Sequence, residues 1–532
     1  MIALLEPLAY PLIILLTLWL AYWSIQQGSW VSDDIQGIAP YDGKLQQPIS
    51  WHNLFKWLRW RVGKYPNPNH RWKEEKQPAF LQSSTAHHRL NLYFASGLLL
   101  LLYSFLSRVF DQRLAFLAVL LFTVHPLGCQ TIGWISGLGY TSGSLFMLAG
   151  LNWVYVSQDL SLMHSPMGVL LTLLIYTFFQ WMAVEAWFCT VGAFLLLLWL
   201  HQWPFALIAG LLSIYAGLNT FREAVTLRKT VFKEQQMEQS TKFYPRKLIV
   251  VLKTLYYNLK LAWFPKRMGL YHTFCYHYEL PYTEHEDRYA WAGLAAAGLL
   301  IGGIVLGPPV VAFSCLWFLA FMSLFLNWIT ANQFVVDRYV WLPAFGVCLL
   351  AAAYAPVWLY WTLIGVALMR LWGHHYTYKD EFFFYHSNLL NFPESEVAWG
   401  NLGVSYLNRG MIGSAMDAWV EGIRRNKEYD VCWYNLASLL RSRGPLNPNY
   451  APLFYQLFPI PEIEQIFQKD PTRSFLHLCR LCLSKAVSSR TCHFPKPWQE
   501  ELSTLERELA RPAGAPPIVA DLIRPRMTAA LT

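Results

Sequence analysis

Positive side chains stand at the ends of several apolar runs, where they could bind a phosphate group. Arg338 follows Asp337 at the entry to one run, and a guanidinium can donate two parallel hydrogen bonds to phosphate oxygens. The alternative is an arginine that snorkels toward water and pairs with Asp337. Lys266 and Arg267, after Pro265, are further phosphate-binding candidates, with anchoring at a membrane interface as the alternative.

Acidic and imidazole side chains occur at similar positions. Glu185 lies between two apolar runs, where an acid is functional unless it merely sits at the water boundary. His125 ends another run and could support a site, although a helix-end histidine bonded to a backbone carbonyl is the more common case. Asp33 and Asp34 form an acidic pair, for which helix capping by Asp33 is the alternative to a chemical role.

The composition indicates a chain that has lipid as its main solvent. Of 532 residues, 55% are hydrophobic, 16% aromatic and only 14% charged, against about 25% charged in ordinary soluble domains. The net charge is +9, but the bases lie in loops instead of on one face with interleaved aromatics, so nucleic acid is not an expected partner. Membrane lipid and lipid phosphates fit this charge better.

Apolar runs of spanning length are the main element that must position these residues. We predict an all-α, polytopic helical membrane domain over residues 1–372, because runs this long and uniformly apolar must be helices in lipid. The eleven candidate spans are about 5–23, 91–107, 114–127, 137–156, 167–183, 186–201, 203–219, 291–306, 309–328, 339–354 and 356–372.

Two polar segments interrupt the apolar runs. Residues 24–90 form a first outer loop, in which 51–63 alternates aromatic and basic residues at helical spacing, as an interfacial helix does. Residues 221–290 form a second large outer segment, whose stretch 253–271 is also amphipathic. We expect both segments to shape the mouth of a site at the membrane surface.

Residues 373–452 carry a repeat with a period of 34 residues. This period and the pattern W-x-x-L-G/A are typical of tetratricopeptide (TPR) repeats. Residues 382–395 resemble the second helix of a preceding repeat, and the helical extension 453–532 ends in a loose segment from 513. So few repeats are expected to pack on the membrane domain or on a protein partner. The matched pairs are Trp399 with Trp433, Asn401 with Asn435, Leu402 with Leu436, Gly403 with Ala437, and Gly410 with Gly444.

Cysteine spacing gives little evidence of a metal or disulfide framework. The nine cysteines show no even pattern. Cys479 and Cys482, with His477, Cys492 and His493 nearby, could in principle hold zinc. The preferred interpretation is a buried helix face, so no metal site is predicted. No nucleotide-binding loop of the Walker or dinucleotide type is present in the sequence.

The order of several strings resembles a known family. They are WVSDDIQGI (30–38), HHRLNLYFASGLLLLLY (87–103), LFTVHPLGCQTIGWISG (121–137), SLFMLAG (144–150), AVEAW (183–187), YYNLKLAWFPKRMGL (256–270) and VVDRYVWLPAFG (335–346), followed by the repeats. Together they resemble the transmembrane and tetratricopeptide-repeat family of protein O-mannosyltransferases and its bacterial relatives, within the glycosyltransferase C superfamily. The resemblance covers about residues 20–444.

This resemblance implies a function and roles for particular residues. The expected activity is transfer of a sugar from a polyprenyl-phosphate carrier to a protein or other surface acceptor. In the family an acidic pair in the first outer loop marks the catalytic base, which corresponds to Asp33 and Asp34 here. Arg338 would then hold the carrier phosphate, because this chemistry needs a base and cations together at the membrane surface. The lipid-linked sugar is the donor, and a divalent metal ion is left open.

Topology supports one shared site. If residue 1 is cytoplasmic, alternation of the spans puts Asp33, His125, Glu185, the segment 221–290, Asp337–Arg338 and the TPR tail on one non-cytoplasmic side. The many bases of the first loop oppose this orientation under the positive-inside rule, although that rule weakens for loops above about 60 residues. A multi-pass location in a bacterial inner membrane or in the endoplasmic reticulum is expected.

Three departures from the family pattern support a second interpretation. Gln130 stands where the family usually has glutamate, Leu138 and Gly139 stand where a base is common, and Val184 replaces a lysine. The alternative is therefore a catalytically lapsed membrane subunit that acts as a scaffold in a larger complex through its TPR tail. A transporter ranks third, because the spans show no internal repeat.

Overall fold

The computed structural model describes residues 2–29, 31, 84–183, 186–231, 245–270, 272, 288–327, 335–443, 451–469, 473–489 and 495–511. Within these residues the chain is all-α, as predicted, and no strand occurs. Contacts divide the chain into two compact units. Unit 1 contains Met1–Ala224, Phe243–Leu270 and Tyr282–Asp380, and unit 2 contains Val225–Lys242, Tyr271–Pro281 and Glu381–Thr532.

Twelve described helices belong mainly to unit 1. They are α1 (Ile2–Ala21), α2 (Ser84–Val109), α3 (Gln112–Thr123), α4 (Leu138–Asp159), α5 (Pro166–Ala183), α6 (Trp187–Trp199), α7 (Trp203–Val231), α8 (Pro245–Trp263), α9 (Arg288–Leu306), α10 (Pro309–Met322), α11 (Asp337–Tyr354) and α12 (Val357–His375). Short 3₁₀ and π turns join some of them, notably Trp23–Gln27, Cys129–Gly133 and Tyr376–Tyr378.

Each of the eleven predicted apolar runs overlaps one of these helices, although some runs, such as 114–127 and 309–328, extend past the helix end. Among the described residues, three helices are long and apolar enough to cross a membrane: Ser84–Val109, Pro166–Ala183 and Arg288–Leu306. Shorter apolar helices include Gln112–Thr123 and Trp187–Trp199. Several helices also expose large apolar side chains, such as Leu174 and Val305, which is compatible with membrane association.

Helix packing in unit 1 depends on close backbone approach at two glycines. A Cβ added at Gly293 would lie 2.0 Å from the Leu252 carbonyl oxygen, so α8 and α9 touch there. A Cβ at Gly346 would lie 2.5 Å from the Ser314 carbonyl oxygen, where α10 meets α11. Only glycine leaves this space at no steric cost. These contacts fix α8 and α11, which carry the candidate phosphate-binding cations at their ends.

Eight described helices belong to unit 2. They are α13 (Glu381–Asn391), α14 (Glu396–Asn408), α15 (Ile412–Arg425), α16 (Asp430–Arg443), α17 (Ala451–Tyr455), α18 (Ile460–Lys469), α19 (Ser474–Ser488) and α20 (Pro495–Leu509). Helices α14 and α16 begin 34 residues apart, and so do the ends of α13 and α15. The sequence period therefore coincides with the helix bounds.

Two tryptophans make the same contact at this period. The indole Nε1 of Trp399 donates to the carbonyl oxygen of Pro393 at 2.8 Å, and that of Trp433 donates to Lys427 at 2.9 Å. Each acceptor lies six residues before its tryptophan. In the first hairpin Gly403 packs directly on Trp419, where a Cβ would lie 2.3 Å from the indole nitrogen. The small residue of the sequence pattern thus makes room for a large one.

The extension after residue 453 is helical where it is described. Cys479 and Cys482 are buried on α19, and the Cys479 thiol donates to the Ala437 carbonyl oxygen of α16 at 3.3 Å. Burial raises the pKa of the Cys479 thiol to about 12. Among the described residues no group of His, Cys, Asp and Glu side chains could hold a metal ion. Cys492, His493 and the predicted loose end lie outside the described residues.

Candidate functional site

Asp337 and Arg338 form the first turn of α11, and both are buried, with 4% and 2% of their surface exposed. The Asp337 carboxylate accepts a hydrogen bond from the Gly269 backbone N–H at 2.8 Å. The backbone N–H of Arg338 donates to the side-chain oxygen of Gln130 at 2.8 Å. The start of α11 is therefore tied to the loop after α8 and to the π turn after α3.

The guanidinium of Arg338 is held by aromatic rings. Its central carbon lies 5.2 Å from the Trp134 ring centroid and 5.1 Å from the Tyr339 centroid. Such cation–π contacts are strongest where water is excluded. The expected alternative of a side chain that snorkels to water does not describe Arg338, because its surface is almost wholly covered. The hydroxyl of Tyr378 lies within electrostatic reach of both Asp337 and Arg338.

Lys266 and Arg267 lie on the loop that Asp337 binds, and both are exposed. Arg370 of α12 fixes the loop's other end. Its Nη2 donates to the carbonyl oxygens of Pro265 at 2.6 Å and Lys266 at 2.5 Å. The loop thus holds two cations at the surface, while Arg338 is buried.

His125 makes the backbone contact expected of a helix-end histidine. Its Nε2 lies 3.1 Å from the Ala262 carbonyl oxygen, which requires the tautomer with the proton on Nε2. The imidazole joins the end of α3 to the last turn of α8. It therefore holds the last turn of α8, from which the loop with Lys266 and Arg267 continues.

The segment that follows α1 lies beside Trp134 and Lys379. The indole Nε1 of Trp134 donates to the Val31 carbonyl oxygen at 3.3 Å, and Trp134 is the ring that contacts Arg338. Ser29 N–H donates to the Lys379 carbonyl oxygen at 3.1 Å. Asp33 and Asp34 follow Val31 closely in sequence but lie outside the described residues, as does Glu185.

The structure therefore brings together three of the predicted residues, His125, Asp337 and Arg338, with the loop that carries two more, Lys266 and Arg267. Sequence reasoning missed Trp134 and Arg370 as members of this site. Trp134 lies inside the quoted string 121–137, and Arg370 is a single base within the last apolar run. A lone base in a long apolar run is a signal that could have found Arg370.

The arrangement can hold an anion beside a buried cation. A planar guanidinium held beside two rings can present its edge to phosphate oxygens in a bidentate contact. Comparisons with protein-family models, with curated proteins and with solved structures found no match for this chain.

Proposed function

We propose that this chain is a polytopic membrane glycosyltransferase of the glycosyltransferase C type. It transfers a sugar from a polyprenyl-phosphate carrier to a protein or another surface acceptor. The observation that supports this function is the meeting of distant motifs around one buried guanidinium. Trp134 contacts Arg338 and also holds Val31, the last described residue before the acidic pair.

In the proposed reaction, an acceptor hydroxyl oxygen attacks the anomeric carbon of the sugar. The bond between that carbon and the phosphate oxygen breaks, and polyprenyl phosphate leaves with its bonding electrons. The hydroxyl proton passes to the carboxylate of Asp33 or Asp34. Arg338 holds the phosphate charge as it develops, and fixed cations of this kind contribute most when water is excluded. Lys266 and Arg267 attract the anionic carrier from the surface.

The finer architecture belongs to the same proposal. The eleven apolar helices would be membrane spans, and the helices of residues 373–452 would be TPR repeats that bind a protein acceptor or partner. The tail would lie on the non-cytoplasmic side. The coincidence of the helix bounds with the period of 34 residues supports the repeat assignment.

Replacement of both acids tests the transferase. Purified full-length protein with Asp33→Asn and Asp34→Asn would be given synthetic polyprenyl-phosphate sugars, and release of polyprenyl phosphate would be measured. A general base contributes roughly 10²–10⁴-fold, so the rate should fall at least about 100-fold. Asp417→Asn, an exposed acid of α15, is the matched control and should keep the full rate. Full activity of the double variant would remove the assignment.

One observation favours the second candidate, a lapsed transferase that acts as a scaffold. Gln130 occupies the position where the resembling family usually has glutamate, and its side-chain oxygen is used to accept the Arg338 backbone N–H. It therefore has a structural role at that point. Stoichiometric co-purification with a larger assembly, together with absent phosphate release from every donor, would favour the scaffold over the enzyme.

A further inference from the structure

Exposed aromatic rings gather at the end of unit 1 where the candidate site lies. They come from the turn after α1, the end of α8 and the end of α12. Tryptophan is enriched at membrane–water interfaces, because its ring is apolar and its N–H is polar. The rings and their exposed fractions are Trp23 60%, Trp263 46%, Phe264 72% and Trp372 54%.

Hydrogen bonds join these three segments. The Trp372 indole N–H donates to the Ala21 carbonyl oxygen at 3.2 Å, which fixes the end of α12 beside the turn that carries Trp23. Two residues earlier on α12, Arg370 binds the carbonyl oxygens of Pro265 and Lys266. The segments are far apart in sequence, so their proximity is a product of the fold.

Positive charge lies in the same place. Lys266 and Arg267 are exposed and directly follow Phe264 and Pro265. The guanidinium of Arg370 lies behind them, and its hydrogen bonds hold the backbone from which both cations project. Exposed rings with adjacent bases suit a bilayer surface. The rings suit the boundary between the acyl chains and the headgroups, and the bases suit the lipid phosphates.

We propose that this rim binds the headgroup layer of a leaflet rich in anionic phospholipids. The rim consists of Trp23, Trp263, Phe264, Lys266, Arg267 and Trp372. The rings enter the interface, and the two cations contact lipid phosphates. Charge complementarity selects an anionic leaflet as the occupant. The inference rests on the membrane location in the proposed function, and it does not depend on sugar transfer.

The rim also continues into the candidate site. Gly269, two residues after Arg267, donates its N–H to Asp337. Anionic lipids collected at the rim therefore stand at the approach to Arg338. An anionic carrier would arrive by the same electrostatic attraction, so the rim sets the surface at which the donor is captured.

The test measures lipid retention by the purified full-length chain. The protein in detergent is incubated with equal amounts of phosphatidylglycerol and phosphatidylcholine, and bound lipids are counted by native mass spectrometry. The chain as it stands should retain phosphatidylglycerol preferentially. Each base near an anionic surface contributes about fivefold in affinity, so Lys266→Gln with Arg267→Gln should lower the preference by about thirtyfold. The preference should also fall when salt is raised from about 0.05 to 0.5 M.

The matched control also removes two positive charges, but near the start of α3, away from the end that His125 joins to α8. Arg108→Gln with Arg113→Gln should keep the preference, because these bases flank the start of α3 whereas His125 joins its other end to α8. Arg370→Lys keeps the net charge but has a shorter side chain without the planar guanidinium, so it should hold the loop less well and lower the preference in part. Equal loss in the Arg108/Arg113 variant would overturn the proposal.

Two further results would also contradict the proposal that this rim binds anionic lipids. One is an unchanged preference in the Lys266/Arg267 variant. The other is displacement of phosphatidylglycerol by millimolar inorganic phosphate, which would indicate a site for free phosphate. Both exchanged side chains are exposed, so far-ultraviolet circular dichroism should match the unaltered chain. A negative result here does not affect the proposed roles of Asp33, Asp34 and Arg338 in sugar transfer, because no sugar donor is used in this test.

Discussion

Three described helices begin with a buried acid, namely Asp337, Glu396 and Asp430, and the first two acids differ in their surroundings. Asp337 opens α11 and Glu396 opens α14, and each has 4% of its surface exposed. Asp337 accepts a backbone N–H and is followed by the buried Arg338. Glu396 accepts a neutral amide N–H from Asn426 at 3.1 Å.

The difference shows two ways in which a fold accommodates a buried carboxyl group. At Glu396, burial raises the pKa to about 7, and the hydrogen bond from Asn426 only partly opposes that effect. The group is therefore half protonated near neutral pH. In unit 1 Asp337 accepts its hydrogen bond from the loop after α8, and the guanidinium of the next residue, Arg338, contacts two rings. A charged cluster suits binding of a charged ligand, whereas a titrating acid makes stability depend on pH.

Removal of the guanidinium should have the largest effect. Arg338→Met should destabilise unit 1 by about 3–5 kcal/mol, because a buried acid then loses its cationic neighbour. Loss of binding to a polyprenyl-phosphate sugar should accompany it. Thermal unfolding in detergent and donor binding by the purified chain are the two measurements. Arg338→Lys restores the charge without the planar group, so it should recover stability in part and binding little.

These two variants separate a binding role from a packing role. If Arg338→Lys binds donor as tightly as the unaltered chain, bidentate recognition is ruled out. If Arg338→Met is as stable as the unaltered chain, the cluster is not what allows Asp337 to be buried, and the contrast with Glu396 fails.

Neutralising Glu396 should have the next largest effect, in the opposite direction. The folded-state pKa of about 7 exceeds the ordinary value of 4.5, so the folded chain holds the proton more strongly. The stabilising contribution is fully present below about pH 4.5 and is lost as the pH rises through about 7. Glu396→Gln removes this loss, so above pH 7 it should stabilise α14 and α15 by up to about 3 kcal/mol.

Hydrogen exchange of α14 and α15 in the full chain, at pH 5 and pH 8, measures this difference. The glutamine variant should exchange more slowly at pH 8 and almost equally at pH 5. Glu464→Gln, at an exposed position of α18, is the control and should change neither value. Equal protection of the Glu396→Gln variant and the unaltered chain at pH 8 would show that Glu396 does not titrate as its burial implies.

Helicity was predictable because it depends on local pattern. Long apolar runs must satisfy their backbone groups internally, and each of the eleven overlaps a helix. One start was displaced: α2 begins at Ser84, before the apolar run at 91. The reason is tertiary. In the added turns His87 and His88 are buried, and Arg89 Nε donates to the side-chain oxygen of Gln26 at 3.2 Å. Such polar residues look like a loop when only the sequence is read.

The site was predictable in part. The bases and acids at helix ends stood out by type, and the resemblance supplied roles for Asp33 and Asp34, which remain predictions. The supports of the cluster were not predictable. Arg370 acts on backbone carbonyls 104 and 105 residues away in sequence. The rings around Arg338 depend equally on tertiary contact.

The two helix starts also differ in their caps, and this difference gives the smallest expected effect. Helix α14 has a local cap, because Ser395 Oγ accepts from the Ala398 N–H at 3.2 Å. Val336 before α11 has no polar side chain, and Gln130 supplies the acceptor from 208 residues away. Gln130→Leu should cost about 1 kcal/mol, the value of a typical buried hydrogen bond. Ser395→Ala should cost a similar amount in unit 2.

The location of the damage distinguishes the two kinds of cap. Hydrogen exchange should rise only in the first turn of α14 for Ser395→Ala. For Gln130→Leu it should rise both at the start of α11 and in the turn Cys129–Gly133, because one hydrogen bond joins them. Gln130→Glu keeps an acceptor oxygen and should restore protection at both places. If Gln130→Leu changed exchange in the turn alone, the N-terminus of α11 would have another acceptor, and the cap would not explain why glutamine is tolerated here.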